Sequence, residues 1–193
     1  MDVMQAITER RSVRKYKPDP VPEEYLRTVL EAARWAPSWA NTQCWRLVLV
    51  TSPEAKEKLA QALSPGNPAA DAVRVVPVVV VACAELGKAG YLKREDGPAT
   101  DKGDWFMYDV ALAMQNLTLA AHSLGLGTVH VGLFDAQKVA ETIGIVQGMA
   151  VVALTPLGFP DQQPAAPRRR ELSDIAFRER YAQPWPASTT PSA

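Results

Sequence analysis

The 193-residue sequence predicts a single domain that mixes helices and strands around a buried sheet. Val75 to Ala84 is nearly all apolar and β-branched, the pattern of a central strand covered on both faces. Asp104 to Leu124 carries the longest helical periodicity, with Met107, Val110, Met114, Leu117, Ala121 and Leu124 on one side and Leu112, Ala113, Leu119 and Ala120 on the other. Apolar nearly all round, it is expected to be the buried central helix. The length suits one well-packed domain and is short for two, and 47% of the residues are hydrophobic, enough for a core.

From the N-terminus, Val3, Met4 and Ile7 sit at helical spacing. Pro18, Pro20 and Pro22 stiffen the next segment, and Pro22 suits the first turn of a helix, where its missing N–H costs nothing. Leu26, Val29, Leu30 and Ala33 mark that helix's inner face, and Pro37 stops it. Ala36 to Trp45 reads as a loop feeding a strand of Leu47, Val48, Leu49 and Val50. Ser52 as cap and Pro53 in the first turn open a helix carrying Ala55, Leu59 and Leu63, which Ser64 to Pro68 breaks. Glu85 to Asp104 is rich in glycine and charge and is expected to be a long, mobile loop of the kind that serves as a lid.

Along the central helix, Asp109, Asn116 and Ser123 recur every seven residues, a narrow polar stripe expected to be satisfied within a helix-to-helix interface. Gly125 and Gly127 end that helix. Thr128 to Gly132 reads as a short strand whose last glycine lets a ligand approach the backbone. Asp135 caps a small helix ending at Ile143, and Met149 to Leu154 forms the last core strand. Beyond Gly158 the chain becomes proline-rich. The tail, 160–193, carries Leu172, Ile175, Phe177, Tyr181 and Trp185, more apolar area than a solvated tail has reason to hold. It is expected to lie across a neighbouring surface, that of a second subunit, with Pro186 to Ala193 disordered.

Formal net charge is zero and no run of five like charges occurs, which argues against nucleic acid and anionic membrane as partners. No stretch approaches the ~18 apolar residues of a membrane span and no signal-peptide pattern opens the chain, so the protein is read as cytoplasmic. Cys44 and Cys83 are expected to be buried free thiols. His122 and His130 are too few for a metal cage.

The chemistry concentrates in Arg10, Arg11, Ser12, Val13 and Arg14. Basic residues often close a helix, complementing the negative end of its dipole. Three guanidiniums and a hydroxyl within five residues also outline an anion site, because arginine presents a planar fork that matches phosphate oxygens in pairs.

Four motifs in order resemble those of the flavin-dependent nitroreductase family. They are the arginine-rich turn Arg10 to Arg14; Pro37-Ser38-Trp39-Ala40-Asn41-Thr42-Gln43-Cys44-Trp45; the helix end Gln115 to Thr128 followed by Val131 and Gly132; and Leu157 to Pro160 with Arg168 to Leu172 beyond. The resemblance implies an α+β fold with a central, mostly antiparallel sheet flanked by helices. It also implies a homodimer with FMN at its interface and a C-terminal extension over the partner. Arg10 and Ser12 would grip the FMN phosphate, with Arg11 in the same cluster, and Arg14 would lie nearer the ribityl chain and the N1/O2 edge of the ring. Pro37, Ser38, Trp39, Asn41 and Gln43 would reach the isoalloxazine from the partner subunit. Val131, Gly132 and Leu133 would present backbone groups to the reactive edge, and Arg168 and Arg170 belong to the triplet that would close over the phosphate.

The implied activity takes hydride from NADH or NADPH and reduces a nitroaromatic, a quinone or a similar small acceptor in alternating half-reactions, with the chemistry on the cofactor. Two alternatives stand beside it. One is a specialised member, such as a reductive dehalogenase or flavin-fragmenting enzyme, with Tyr91, Lys93 and Glu95 on a lid; the other is a flavin-binding or storage protein without turnover. Trp39 and Cys44 depart from the family pattern, which has a small polar residue and a proline there. An indole at Trp39 would offer a stacking surface to an aromatic substrate.

Overall fold

A computed structural model describes residues 1–92 and 97–185. The expectations for Lys93, Glu95 and the last eight residues lie outside them. The elements run α1 (Val3–Glu9), α2 (Glu23–Arg34), β1 (Trp45–Val50), α3 (Pro53–Gln61), α4 (Ala70–Val75), β2 (Val78–Glu85), α5 (Phe106–Ser123), β3 (Gly127–Thr128), α6 (Ala136–Ile143) and β4 (Met149–Gly158). The strands form one antiparallel sheet in the order β1-β2-β4-β3. This is the α+β arrangement expected.

The sheet divides the core in two, and strand alternation does the dividing. On β2, Val78, Val80, Ala82 and Ala84 face α2 and α5. Val79, Val81 and Cys83 face the opposite way, among residues of α3, α4 and α6. Covered on both sides, β2 has no polar face, which is why its sequence is continuously apolar. Cys44 packs in the first cluster and Cys83 in the second, on opposite sides of the sheet, and both are free thiols.

Two expectations are corrected. The apolar run that begins at Val75 is not one strand: Ala70–Val75 is a helix, and Pro77, which cannot donate to a ladder, separates it from β2. Lys56 closes that helix from α3, its ammonium donating to the Val76 carbonyl at 2.6 Å. The central helix is not buried all round. Met107 is 56% and Tyr108 57% exposed at its start, so its apolar outer face meets solvent in the single chain. The long loop after β2 is stitched at its base, where the Gly87 N–H donates to Asp104 and the Trp105 N–H to the Ala89 carbonyl.

Other local readings hold. Ser52 and Asp135 accept hydrogen bonds from the first turns of α3 and α6. Of the polar stripe only Asn116 makes the expected interhelical bond, donating to the Ala32 carbonyl of α2; Asp109 is satisfied by the loop after α2, and Ser123, exposed, turns back on the Ala120 carbonyl of its own helix. The strand expected at Thr128 to Gly132 is shorter than that: it is Gly127–Thr128, followed by one isolated bridge from Val131 to Leu154.

Candidate functional site

The segment after α1 is tied to the sheet by its backbone. Val13 donates to the Thr128 carbonyl at 2.9 Å, and Ser12 bridges Thr128. The approach leaves no room for a side chain at position 127, since a Cβ on Gly127 would sit 2.8 Å from the Val13 Cβ. Val13 and Tyr16 turn into the core, and Arg14 turns out. Backbone pairing therefore fixes where the arginines stand without using their side chains.

Those side chains line one cleft of about 380 Å³ containing Arg10, Arg11, Ser12, Arg14 and Arg169, and no carboxylate. Arg11 is partly spent: its Nη1 donates to the Thr8 and Arg10 carbonyls and so caps α1. Arg10, Arg14 and Arg169 make no hydrogen bond or ion pair through their side chains among the described residues. Burial, then Arg11, then Arg169 hold the Arg10 guanidinium below its ordinary pKa. Like charges without counterions repel at this range, and an anion of two charges relieves them. The donor set fits a phosphate dianion.

Of the triplet, Arg169 joins this cleft. Arg168 and Arg170 are exposed and do not line it. A tail of consecutive arginines carries no periodicity that singles one out, because irregular chain has no fixed face.

Arg14 also borders a second cleft, about 240 Å³, lined by Asn67, Pro68, Ala69 and Val129 to Leu133. A Cβ built on Gly132 meets nothing within 4 Å, so the backbone there is open to a ligand. The Leu133 carbonyl is held by Asn67 and Ser64, each at 3.4 Å. His130 lies in the same lining, with Nδ1 2.9 Å from the Thr155 hydroxyl. Sequence reasoning passed over Asn67 and His130; the turn Ser64 to Pro68 gave Asn67's place but not its neighbour across the chain.

The loop 37–43 stands apart. Pro37, Ser38 and Trp39 line another cleft of about 240 Å³ with Trp105, Tyr108, Asp109 and Leu112. Its backbone is unusual, with positive φ at Ala40 (43°), Asn41 (56°) and Gln43 (48°) and no glycine among them. Such conformations cost about 1–3 kcal/mol each and persist where surroundings enforce them. Asp109, 1% exposed, supplies the enforcement: both carboxylate oxygens accept the Trp39 N–H at 3.1 Å, and Oδ2 accepts the Thr42 hydroxyl at 3.4 Å. Within the loop, the Gln43 N–H donates to Ser38 Oγ and the Gln43 amide to Asn41.

The Cys44 thiol also lies 3.8 Å from Asp109 Oδ2. Burial, then the Asp109 charge, push its pKa up to about 11, which makes it a poor nucleophile. The Trp39 ring tilts against Trp105 at 5.3 Å, and Trp105 meets Tyr108 edge-on at 5.5 Å. In one chain the structure thus joins Arg10, Ser12 and Arg14 to Gly132 and keeps the 37–43 loop in a separate cleft.

Among the described residues no group of His, Cys, Asp or Glu could hold a metal, and no helix is long and apolar enough to cross a membrane.

Comparison with known proteins identifies the family. The family model described as Nitroreductase family matches residues 7–159. An NADH dehydrogenase of Thermus thermophilus is 30% identical over 200 residues, covering 92% of this chain and 96% of its own. An FMN reductase (NAD(P)H) of Bacillus subtilis is 28% identical over 189 residues, covering 93% of this chain and 74% of that protein. The solved structure of an NADPH:FMN oxidoreductase from Vibrio harveyi, complexed with NAD+, superposes with a TM-score of 0.78 at 28% identity, over 93% of this chain and 78% of that one. The matched span begins just before the arginine cluster and ends at the close of β4, so the chain belongs to the nitroreductase family.

Proposed function

We propose that the protein is an FMN-dependent NAD(P)H oxidoreductase that works as a homodimer, with hydride from NADH or NADPH and a nitroaromatic, quinone or similar small molecule as acceptor. The observation that carries the reading is the cleft in which Arg10, Arg14 and Arg169 meet with no carboxylate to neutralise them. Bound FMN supplies a ring that accepts hydride and returns electrons, so no protein nucleophile is required.

The chain's own groups bind and orient. Arg10, Ser12 and Arg169 hold the phosphate end by charge-assisted hydrogen bonds. Arg14 borders both clefts and reaches towards the ring, where a fixed cation stabilises negative charge. The open backbone at Gly132 faces the ring's reactive edge, and Asn67 keeps the neighbouring carbonyl in place. The 37–43 loop of a second copy covers the ring from the other side, which accounts for a loop that is rigid yet remote from the arginines of its own chain.

Several features support a dimer. Val3 (67% exposed), Met4 and Ile7 on α1, Met107 and Tyr108 on α5, and Leu172, Ile175, Tyr181 and Trp185 in the tail all meet solvent in the single chain. The tail keeps its own shape, with the Arg178 guanidinium over the Trp185 ring at 4.6 Å and the Trp185 N–H on the Ala176 carbonyl. The Trp39, Trp105 and Tyr108 rings beside the loop favour a planar aromatic acceptor.

The test is the visible spectrum of the purified protein under anaerobic conditions, before and after NADH or NADPH. Flavin absorbance that bleaches on addition is expected. Flavin that stays oxidised with both donors removes the enzymatic reading in favour of storage, and a colourless protein that takes up no added FMN removes the cofactor reading.

A further inference from the structure

His130 has no role in the function proposed above, yet it lies in the cleft that joins Arg14 to the open backbone at Gly132. It sits directly across from Thr155, because the β3–β4 register that pairs Thr128 with Leu157 and Val131 with Leu154 brings 130 opposite 155. The Thr155 hydroxyl, fully buried on β4, holds Nδ1 at 2.9 Å. The residue borders the cleft, and Nε2 makes no hydrogen bond among the described residues. One imidazole nitrogen is thus anchored and the other left free, the arrangement of a ring fixed in place to exchange a proton.

Resting on the FMN reading above, we propose that His130 takes up a proton when the bound cofactor is reduced, neutralising charge that hydride transfer leaves on the ring. A nicotinamide donor delivers two electrons and one proton as hydride, leaving NAD(P)+ and a reduced ring carrying one negative charge. His130, with Nδ1–H donating to Thr155, then binds a solvent proton at Nε2 and becomes imidazolium.

The surroundings set the sign. Charged neighbours are cationic: Arg14 in the same lining, and Arg10 at the end of α1, which acts on the ring through space. Thr155 on β4 and Asn67 from the turn before α4 are neutral, and no carboxylate lines the cleft. Burial first, then Arg10, therefore holds the imidazole below its ordinary pKa while the ring is neutral. A negative charge arriving in the cleft reverses that preference and favours the protonated form.

The experiment reads proton stoichiometry in FMN-loaded protein, wild type against His130→Gln, whose amide can still donate to Thr155. Each is reduced anaerobically by stoichiometric NADH or NADPH in weakly buffered solution near pH 7 with an indicator dye, after bound FMN has been quantified. Hydride transfer alone consumes no solvent proton. The wild type is expected to take up about one proton per flavin reduced and the variant none. Equal uptake in the two, whether one proton or none, overturns the proposal. Wild-type protein that holds no FMN fails earlier, at the cofactor reading, and is recognised by its lack of colour.

Discussion

The arginine segment after α1 and the loop after α2 are both short irregular stretches, and they are stabilised in opposite ways. The first borrows order from the sheet: Val13 and Ser12 pair with Thr128, so the guanidiniums of Arg10 and Arg14 remain uncommitted. The second pairs only within itself, carries three positive φ angles, and is tied to the helix beside it by one buried carboxylate. The cations are free because the backbone does the positioning. The loop is rigid because a side chain does.

That contrast predicts different costs for removing one residue from each region. Asp109→Ala should have the largest effect, lowering stability by about 3 kcal/mol, since it removes the charged acceptor of the half-buried Trp39 N–H and empties a site buried beside Cys44. Urea denaturation checks this; an unchanged midpoint would mean the loop holds itself. Arg10→Ala should leave the midpoint unchanged or raise it slightly, because it relieves repulsion from Arg11 and Arg169. It should weaken FMN binding by about 1.5–3 kcal/mol, the scale of a hydrogen bond to a charged group, as measured by calorimetric titration of the apoprotein. Unaltered affinity removes Arg10 from the phosphate site.

The smallest effect concerns the thiols. Burial first raises both from 9.0 to about 11, with the Asp109 charge second for Cys44. A folded pKa above the unfolded one favours the folded state most fully below the unfolded value. That contribution disappears as pH rises through about 11. Iodoacetamide near pH 8 should therefore leave Cys44 and Cys83 unlabelled until the protein unfolds. Rapid labelling of Cys44 alone would show that the loop opens where the sheet does not.

Much of the fold was legible because single residues announce it. Ser52-Pro53 and Asp135 mark helix starts through local hydrogen bonding, and the apolar run of β2 marks a strand with no wet side. α4 was hidden because Val75 and Val76 extend the run of β2 without a break in composition; Pro77 was the boundary. The outer face of α5 was misread because Met107 and Tyr108 are apolar for a reason that no single chain's core supplies.

In the candidate site, Arg10, Ser12, Arg14 and Gly132 were legible from type and spacing, and the structure joins them. Asp109 was noticed as a polar residue in an apolar helix, but its partners lie 65 to 70 positions away in the chain, beyond any local pattern. His130 and Asn67 were passed over for the same reason: their places depend on Thr155 and Leu133, brought near by strand register and by a turn.

The strand order carries a consequence for biosynthesis. β4 lies between β2 and β3, and it leaves the ribosome after both. Until it emerges, β2 has one naked edge, β3 has no neighbour, and Val131 lacks its partner Leu154. A nascent chain stalled before Met149 would hold β1 and β2 as an antiparallel pair, with apolar surface bare and the cofactor clefts unmade. At ordinary elongation rates of about 5–20 residues per second, that exposed interval lasts several seconds. Chaperone capture of truncated chains should therefore fall sharply once Gly158 has cleared the exit tunnel, and FMN uptake should begin only when the arginine tail has followed.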